Sequence, residues 1–249
     1  MKKLFYSIAL SALVAAGSSC KKTDNYAAPD VTLKGTVTDA GTGKSLQTEQ
    51  GSGTRIKLLE ISWSANPTPF YISSYQDGTY QNTKLFAGKN VISAEGAFVP
   101  LVQVDASGKT IVDKSQTVDV KDVTTVNFSV EPFLRIEWIG DPVLNADGTI
   151  TTKFKVTRGT ANPDFQQNVS DVAVFINSNN YVGNNNYDNR YTPKLSGDAA
   201  NATIGATTTL TTLGGALPGK RSYFIRVGAK MQYGLNYYNY TDVKEVKIP

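Results

Sequence analysis

Short alternations of apolar and polar residues, with no sustained helical period, run along most of the chain. In VTLKGTVTD, Val31, Leu33 and Val37 alternate with polar partners, and the phase slips near Gly35. RIKLLEISW repeats the pattern less strictly with Ile56, Leu58 and Ile61, and VTTVNFSVEP sets Val126, Phe128 and Val130 on one face. A period of two marks a half-buried strand, and the near-continuous apolar run DVAVFINS marks one covered on both faces. Gly, Asp, Asn and Pro punctuate these segments where turns are needed. The pattern predicts an all-β fold of two β-sandwich domains in series. It restarts near Glu131-Pro132, which places the domains at residues 31–131 and 132–249.

The N-terminus follows another rule. Lys2 and Lys3 precede the apolar run LFYSIALSALVAA, and the small residues Gly17, Ser18 and Ser19 lead into Cys20, the only cysteine. The order of charge, short apolar stretch and small residues is that of a secretory signal over residues 1–19. The run is too short for the ~20 residues a spanning helix requires. Small residues just before a cysteine resemble a bacterial lipobox, although Gly17 stands where Leu is usual. The resemblance implies that Cys20 is diacylated and holds the chain on membrane lipid, with residues 20–30 as a polar tether. An ordinary signal followed by a free thiol is the other reading.

Composition narrows the chemistry. The formal charge of +4 falls by two once Lys2 and Lys3 leave with the signal, and no Lys/Arg stripe recurs, so nucleic acid is not an expected partner. The chain has no histidine, which excludes Ser-His-Asp and Cys-His machinery and histidine-ligated zinc. A carboxylate pair of the glycosidase kind survives that exclusion, since it needs only Asp and Glu. The Asp-rich turns lack the order of a calcium loop, so neither metal nor cofactor is expected.

The first half resembles the carboxypeptidase regulatory-like, transthyretin-like sandwich. Gly35, Val37, Asp39, Thr42, Gly43, Asp77, Gly78 and Tyr80 match its motifs, and Asn90 replaces a usual aromatic. In the second half, LPGKRSYFIRVGAK resembles the tyrosine corner of fibronectin type III/Ig-like domains, which implies that Tyr223 buries its ring and returns its hydroxyl to nearby backbone. Taken together, the anchor, LKGTVTD, LQTE, RIKLLE, DGTYQNTKLFAG and VEPFLRIE resemble outer-membrane lipoproteins of Bacteroidetes that carry the domain of unknown function 3823. That likeness implies a noncatalytic accessory of a SusC/SusD-like nutrient-uptake system, binding a glycan or similar oligomer at the cell surface. Lys21 and Lys22, where surface-exported members carry acidic residues, leave the periplasmic face as an alternative.

A ligand site is expected where flat aromatic faces meet amide groups. NSNNYVGNNNYDNRYTPK, residues 177–194, supplies Tyr181, Asn184, Tyr187, Asp188, Arg190 and Tyr191, and MQYGLNYYNY adds Tyr237 and Tyr238. Eight of the 13 tyrosines lie between Tyr181 and Tyr240, more concentrated than core needs alone would suggest. The competing reading makes the loop solvated and its tyrosines ordinary strand residues. Trp63, before SANPTP, reads as edge packing, with ligand stacking as the alternative. A structural lipoprotein, acting as spacer or docking module for a protein partner, is the alternative function.

Overall fold

The structure, a computed structural model, describes residues 27–249; the signal segment and Cys20 lie outside the described residues. The first ten strands are β1 (Val31–Asp39), β2 (Arg55–Glu60), β3 (Phe70–Ser73), β4 (Thr79–Leu85), β5 (Gly88–Glu95), β6 (Val102–Val104), β7 (Thr110–Asp113), β8 (Gln116–Val120), β9 (Val123–Thr125) and β10 (Phe128–Val130). One sheet pairs β1 with β4 antiparallel and with β9 and β10 parallel, and the other runs β3-β2-β5-β8. Hairpin β6–β7 stands apart from both.

Leu33, Val37, Ile56, Leu58, Ile92, Val126 and Phe128 fill the core of this unit. The expected slip at Gly35 does not occur: Val31, Leu33, Val37 and Asp39 all turn inward, and Gly35 continues their row. The register irregularity lies instead between Val31 and Leu33. Gly35 is opposite Tyr80, whose buried hydroxyl donates to the Val126 carbonyl at 2.5 Å. A Cβ at Gly35 would fall 1.8 Å from that carbonyl oxygen, so only glycine fits there.

The remaining strands are β11 (Leu134–Trp138), β12 (Val143–Leu144), β13 (Ile150–Arg158), β14 (Val169–Asn177), β15 (Lys194–Ser196), β16 (Thr207–Thr211), β17 (Arg221–Met231), β18 (Tyr238–Tyr240) and β19 (Lys244–Ile248). β13 carries β11 and β12 along one edge and β16 along the other. The facing sheet runs β15-β14-β17, with β18 and β19 sharing the far edge of β17. Between the sheets lie Ile136, Ile150, Phe154, Val156, Val172, Val174, Ile176, Ile225 and Val227. The chain is all-β apart from short helical turns, as the alternation predicts.

The tyrosine corner requires correction. Tyr223 is buried in this second core, but its hydroxyl makes no hydrogen bond among the described residues; it lies near Arg190, Tyr191 and Asp188. A buried tyrosine hydroxyl that donates to a backbone carbonyl is found instead at Tyr80, in the other sandwich.

Candidate binding cleft at the junction of the sandwiches

The Asn/Tyr loop folds back over the outer face of β14. There Phe175, fully buried, meets Tyr187 at 5.3 Å between ring centroids, Tyr238 at 5.5 Å and Tyr240 at 6.0 Å, and Ala173 and Val182 complete a small second core. This cover explains why β14 is buried on both faces. Lys194 caps the cluster, 4.1 Å above the Tyr187 ring. Two expected ligand faces are therefore corrected: Tyr191 is 8% exposed in the main core and Tyr238 is 7% exposed against Phe175, so neither ring can stack on a solute. Tyr181 is 57% exposed. Arg190 pairs with Asp188 at 2.7 Å and lies over the Tyr191 ring, and its hydrogen bond holds the Asp188 carboxyl below its usual range.

The loop's backbone engages the first sandwich. Glu49, buried between β1 and β2, accepts from the Tyr240 hydroxyl at 2.8 Å and from the backbone N–H of Asn185. Tyr240 in turn accepts from the Asn184 N–H at 3.2 Å, and Gln76 donates to the Asn180 carbonyl at 3.1 Å. Gly183 permits this approach, since a Cβ there would sit 2.9 Å from a Glu49 oxygen. Behind Tyr240 lies Arg226, with no solvent exposure, 4.1 Å above the ring and donating to the Thr241 carbonyl at 2.8 Å. Burial pushes the Arg226 pKa down to about 10, against the attraction of Tyr240 and Glu49. Arg135 holds Asp39 with two bonds of 2.6 and 2.7 Å, and Asn239 ties the Leu134 N–H to the Ala97 carbonyl. Asn184, Asn185 and the Tyr240 hydroxyl thus serve the seam between the sandwiches.

A cleft of about 490 Å³ opens beside this seam, within the size range of small-molecule sites. Its floor is the outer face of β2 and β5, where Arg55, Lys57 and Glu95 converge. Arg55 lies directly opposite Glu95 in the strand register, bonds it at 2.6 Å and rests 4.1 Å over the exposed Tyr71 ring. Burial works against the Arg55 charge, but Glu95, with smaller effects of Tyr71 and Tyr237, holds its pKa above the usual value. Tyr237 is thus the expected site residue placed near this cleft. The opposite wall is the turn after β17, where Tyr233 is pinned edge-on between Phe133 at 5.2 Å and Phe165 at 5.4 Å. Phe98, Leu101 and Leu235 make the remaining walls apolar.

The site reading from sequence missed Arg55, Lys57, Glu95 and Tyr71. Their signal was the charged, outward positions of RIKLLE, but Glu95 meets Arg55 only through the strand register. A second cleft, of about 740 Å³, flanks the seam on Asp39, Arg135, Glu137, Trp138 and Lys244. It is the more polar of the two; Arg135 is closed on Asp39, and Lys244 covers Trp138, whose indole N–H donates to Asp242. Among the described residues no group of three or more Cys, Asp or Glu is arranged to hold a metal.

Fold and cleft together define an all-β protein of packed sandwiches with a recess at their junction. The chain belongs to the DUF3823 family. It is 32% identical to a DUF3823 family protein from Bacteroides uniformis, covering 89% of this chain and all of that one with a TM-score of 0.80. The family model for DUF3823_C, a domain of unknown function, matches residues 139–245. The fold is shared by a Bacteroides uniformis protein described provisionally as carbohydrate binding, at 22% identity, 88% and 100% coverage and TM-score 0.67. A DUF3823 family protein from Parabacteroides merdae also shares it, at 22% identity, 89% and 100% coverage and TM-score 0.64. No curated protein matches the sequence.

Proposed function

We propose that this chain is a noncatalytic, lipid-anchored outer-membrane accessory of a SusC/SusD-like uptake system, and that it captures a glycan or similar oligomer in the cleft on β2 and β5. The carrying observation is the convergence of Tyr233, Arg55, Lys57 and Glu95 on one apolar recess, with the exposed Tyr71 ring beside it under the Arg55 guanidinium. Sugar rings present apolar CH faces that stack on tyrosine, while their hydroxyls take bonds from guanidinium, ammonium and carboxylate groups. Glu95 is engaged by Arg55 and by Lys57 at 3.8 Å, an arrangement suited to fixing hydroxyls and poorly suited to delivering a proton. The anchor at Cys20 rests on the lipobox resemblance of the N-terminus, and the cell-surface orientation on the family likeness, with the periplasmic face as the alternative that Lys21 and Lys22 leave.

The test is a glycan array followed by calorimetry on the mature chain. Lys57→Ala removes a half-buried ammonium that lines the cleft and Tyr71→Ala the exposed ring beside it, and each should weaken binding about tenfold, which corresponds to roughly 1.4 kcal/mol. Unchanged affinity in both variants refutes the cleft. A spacer or docking role is favoured by one observation, the buried seam from Glu49 to Arg226, which suits a stiff two-domain arm. It becomes the better reading if no glycan binds the wild-type chain.

A further inference from the structure

The end of the first sandwich remote from the seam carries an unusual surface. Strand register places Val31 beside Leu85, Thr32 beside Val123, Gly88 beside Val120, Asn90 beside Glu60 and Leu58 beside Phe70. The chain's entry at residues 27–30, the loop 61–69, the link at Phe86 and the turn at Lys121–Asp122 therefore gather at one end. Asp39, Glu49 and Ala97, which bond the second sandwich, lie at the other. At the entry end Trp63 is 77% exposed, Val123 63% and Phe86 59%, with Ile61 and Phe70 also exposed. Trp63 does not pack on a sheet edge, contrary to expectation. Lys84, Lys89 and Lys121 are offset by Asp30, Glu60, Asp119 and Asp122, so this end has no positive field of its own.

We infer that the tip formed by Ile61, Trp63, Phe86 and Val123 rests in the interface of the lipid bilayer and sets the orientation of the protein on it. The inference rests on the lipid anchor at Cys20. From Cys20 to Val31 the chain extends at most about 40 Å, and it joins the fold at this same end, so the tip is the part of the molecule held nearest the lipid. Tryptophan favours the headgroup boundary, where its apolar ring and its N–H are both accommodated, and phenylalanine, isoleucine and valine beside it bury apolar surface at the acyl boundary. A diacylated cysteine holds the chain on the bilayer but leaves it free to swivel on its tether, and an aromatic tip adds the second contact that fixes which end meets the lipid. With charges balanced, the attraction is apolar and independent of anionic lipid. The seam then stands away from the membrane, with its clefts open to solute.

The test uses the mature chain from Cys20, coupled through its single thiol to a maleimide lipid in vesicles of zwitterionic phospholipid. Trp138→Phe leaves Trp63 as the only tryptophan of the two. The expected result is a blue-shifted Trp63 emission, quenched by lipids brominated near the headgroup and persisting in high salt; Phe86→Ser should reduce the quenching. Water-like emission without quenching in a folded, coupled protein overturns the inference, as does a signal that requires anionic lipid. Should Trp138→Phe fail to fold, hydrogen exchange of residues 61–69 and 85–88 in the wild-type chain, coupled or free, gives the same decision through protection or its absence. Coupling supplies the anchor chemically, so a cell that leaves Cys20 unacylated would refute the anchor without touching this result.

Discussion

Replacing Glu49 with alanine should loosen the junction between the sandwiches. The carboxylate is 8% exposed and accepts two bonds from the second sandwich, one from the Tyr240 hydroxyl at 2.8 Å and one from the Asn185 N–H. Asn185 is exposed and can turn to water, so its loss counts little. Tyr240 is buried and cannot, and Arg226 behind it loses a nearby negative charge. A hydrogen bond to a charged group contributes about 1.5–3 kcal/mol, and removing one partner of a fully buried ion pair costs about 3–5, so roughly 3 kcal/mol is expected. At this chain length that lowers the midpoint of thermal unfolding by about 6–12 °C. Glu49→Gln keeps the shape and an acceptor and should lose about half as much. The double variant Glu49→Ala/Tyr240→Phe should cost little more than Glu49→Ala, because the two groups serve the same bond. Urea and thermal denaturation of these four proteins and of the Tyr240→Phe single variant decide the matter. A loss below ~0.5 kcal/mol for Glu49→Ala, or full additivity in the double variant, would refute the reasoning.

Asp39 makes the seam sensitive to acid. Burial alone would raise its pKa, but the Arg135 hydrogen bonds and charge hold it below the model-peptide value. A depressed carboxyl contributes stability above its unfolded pKa of about 3.9, and that contribution is lost as pH falls through the folded value. The stability gap between wild type and Asp39→Asn should therefore be full at neutral pH and close below about pH 4; a constant gap in urea titrations rejects the pairing. Tyr80→Phe strands the Val126 carbonyl beside Gly35 and should cost about 1–3 kcal/mol, whereas Tyr223→Phe, with no bond to lose, should stay within ~0.5. Equal losses in the two denaturation curves would restore the tyrosine corner.

What the sequence disclosed was set by local physics. Alternation in VTLKGTVTD and VTTVNFSVEP reports which face each strand buries, and burial along β1 follows it residue by residue, with Gly35 holding its place in the inward row. The apparent slip arose because glycine has no side chain to reveal its direction, while Tyr80 reaches across from the paired strand to occupy the space. The candidate site was less legible because it depends on pairings no local pattern specifies. Arg55 and Glu95 lie 40 positions apart and become neighbours through the β2–β5 register alone. The tyrosine concentration was real, but its cause lay in DVAVFINS. A strand apolar on both faces must have its outer face covered, and the nearest rings, Tyr187, Tyr238 and Tyr240, cover it. An unbroken apolar strand followed by an aromatic loop is thus first a demand for packing. Rings left exposed once that demand is met, among them Tyr71 beside the cleft, Tyr181 on the loop, and Trp63 and Phe86 at the far tip, remain available for a ligand or a membrane.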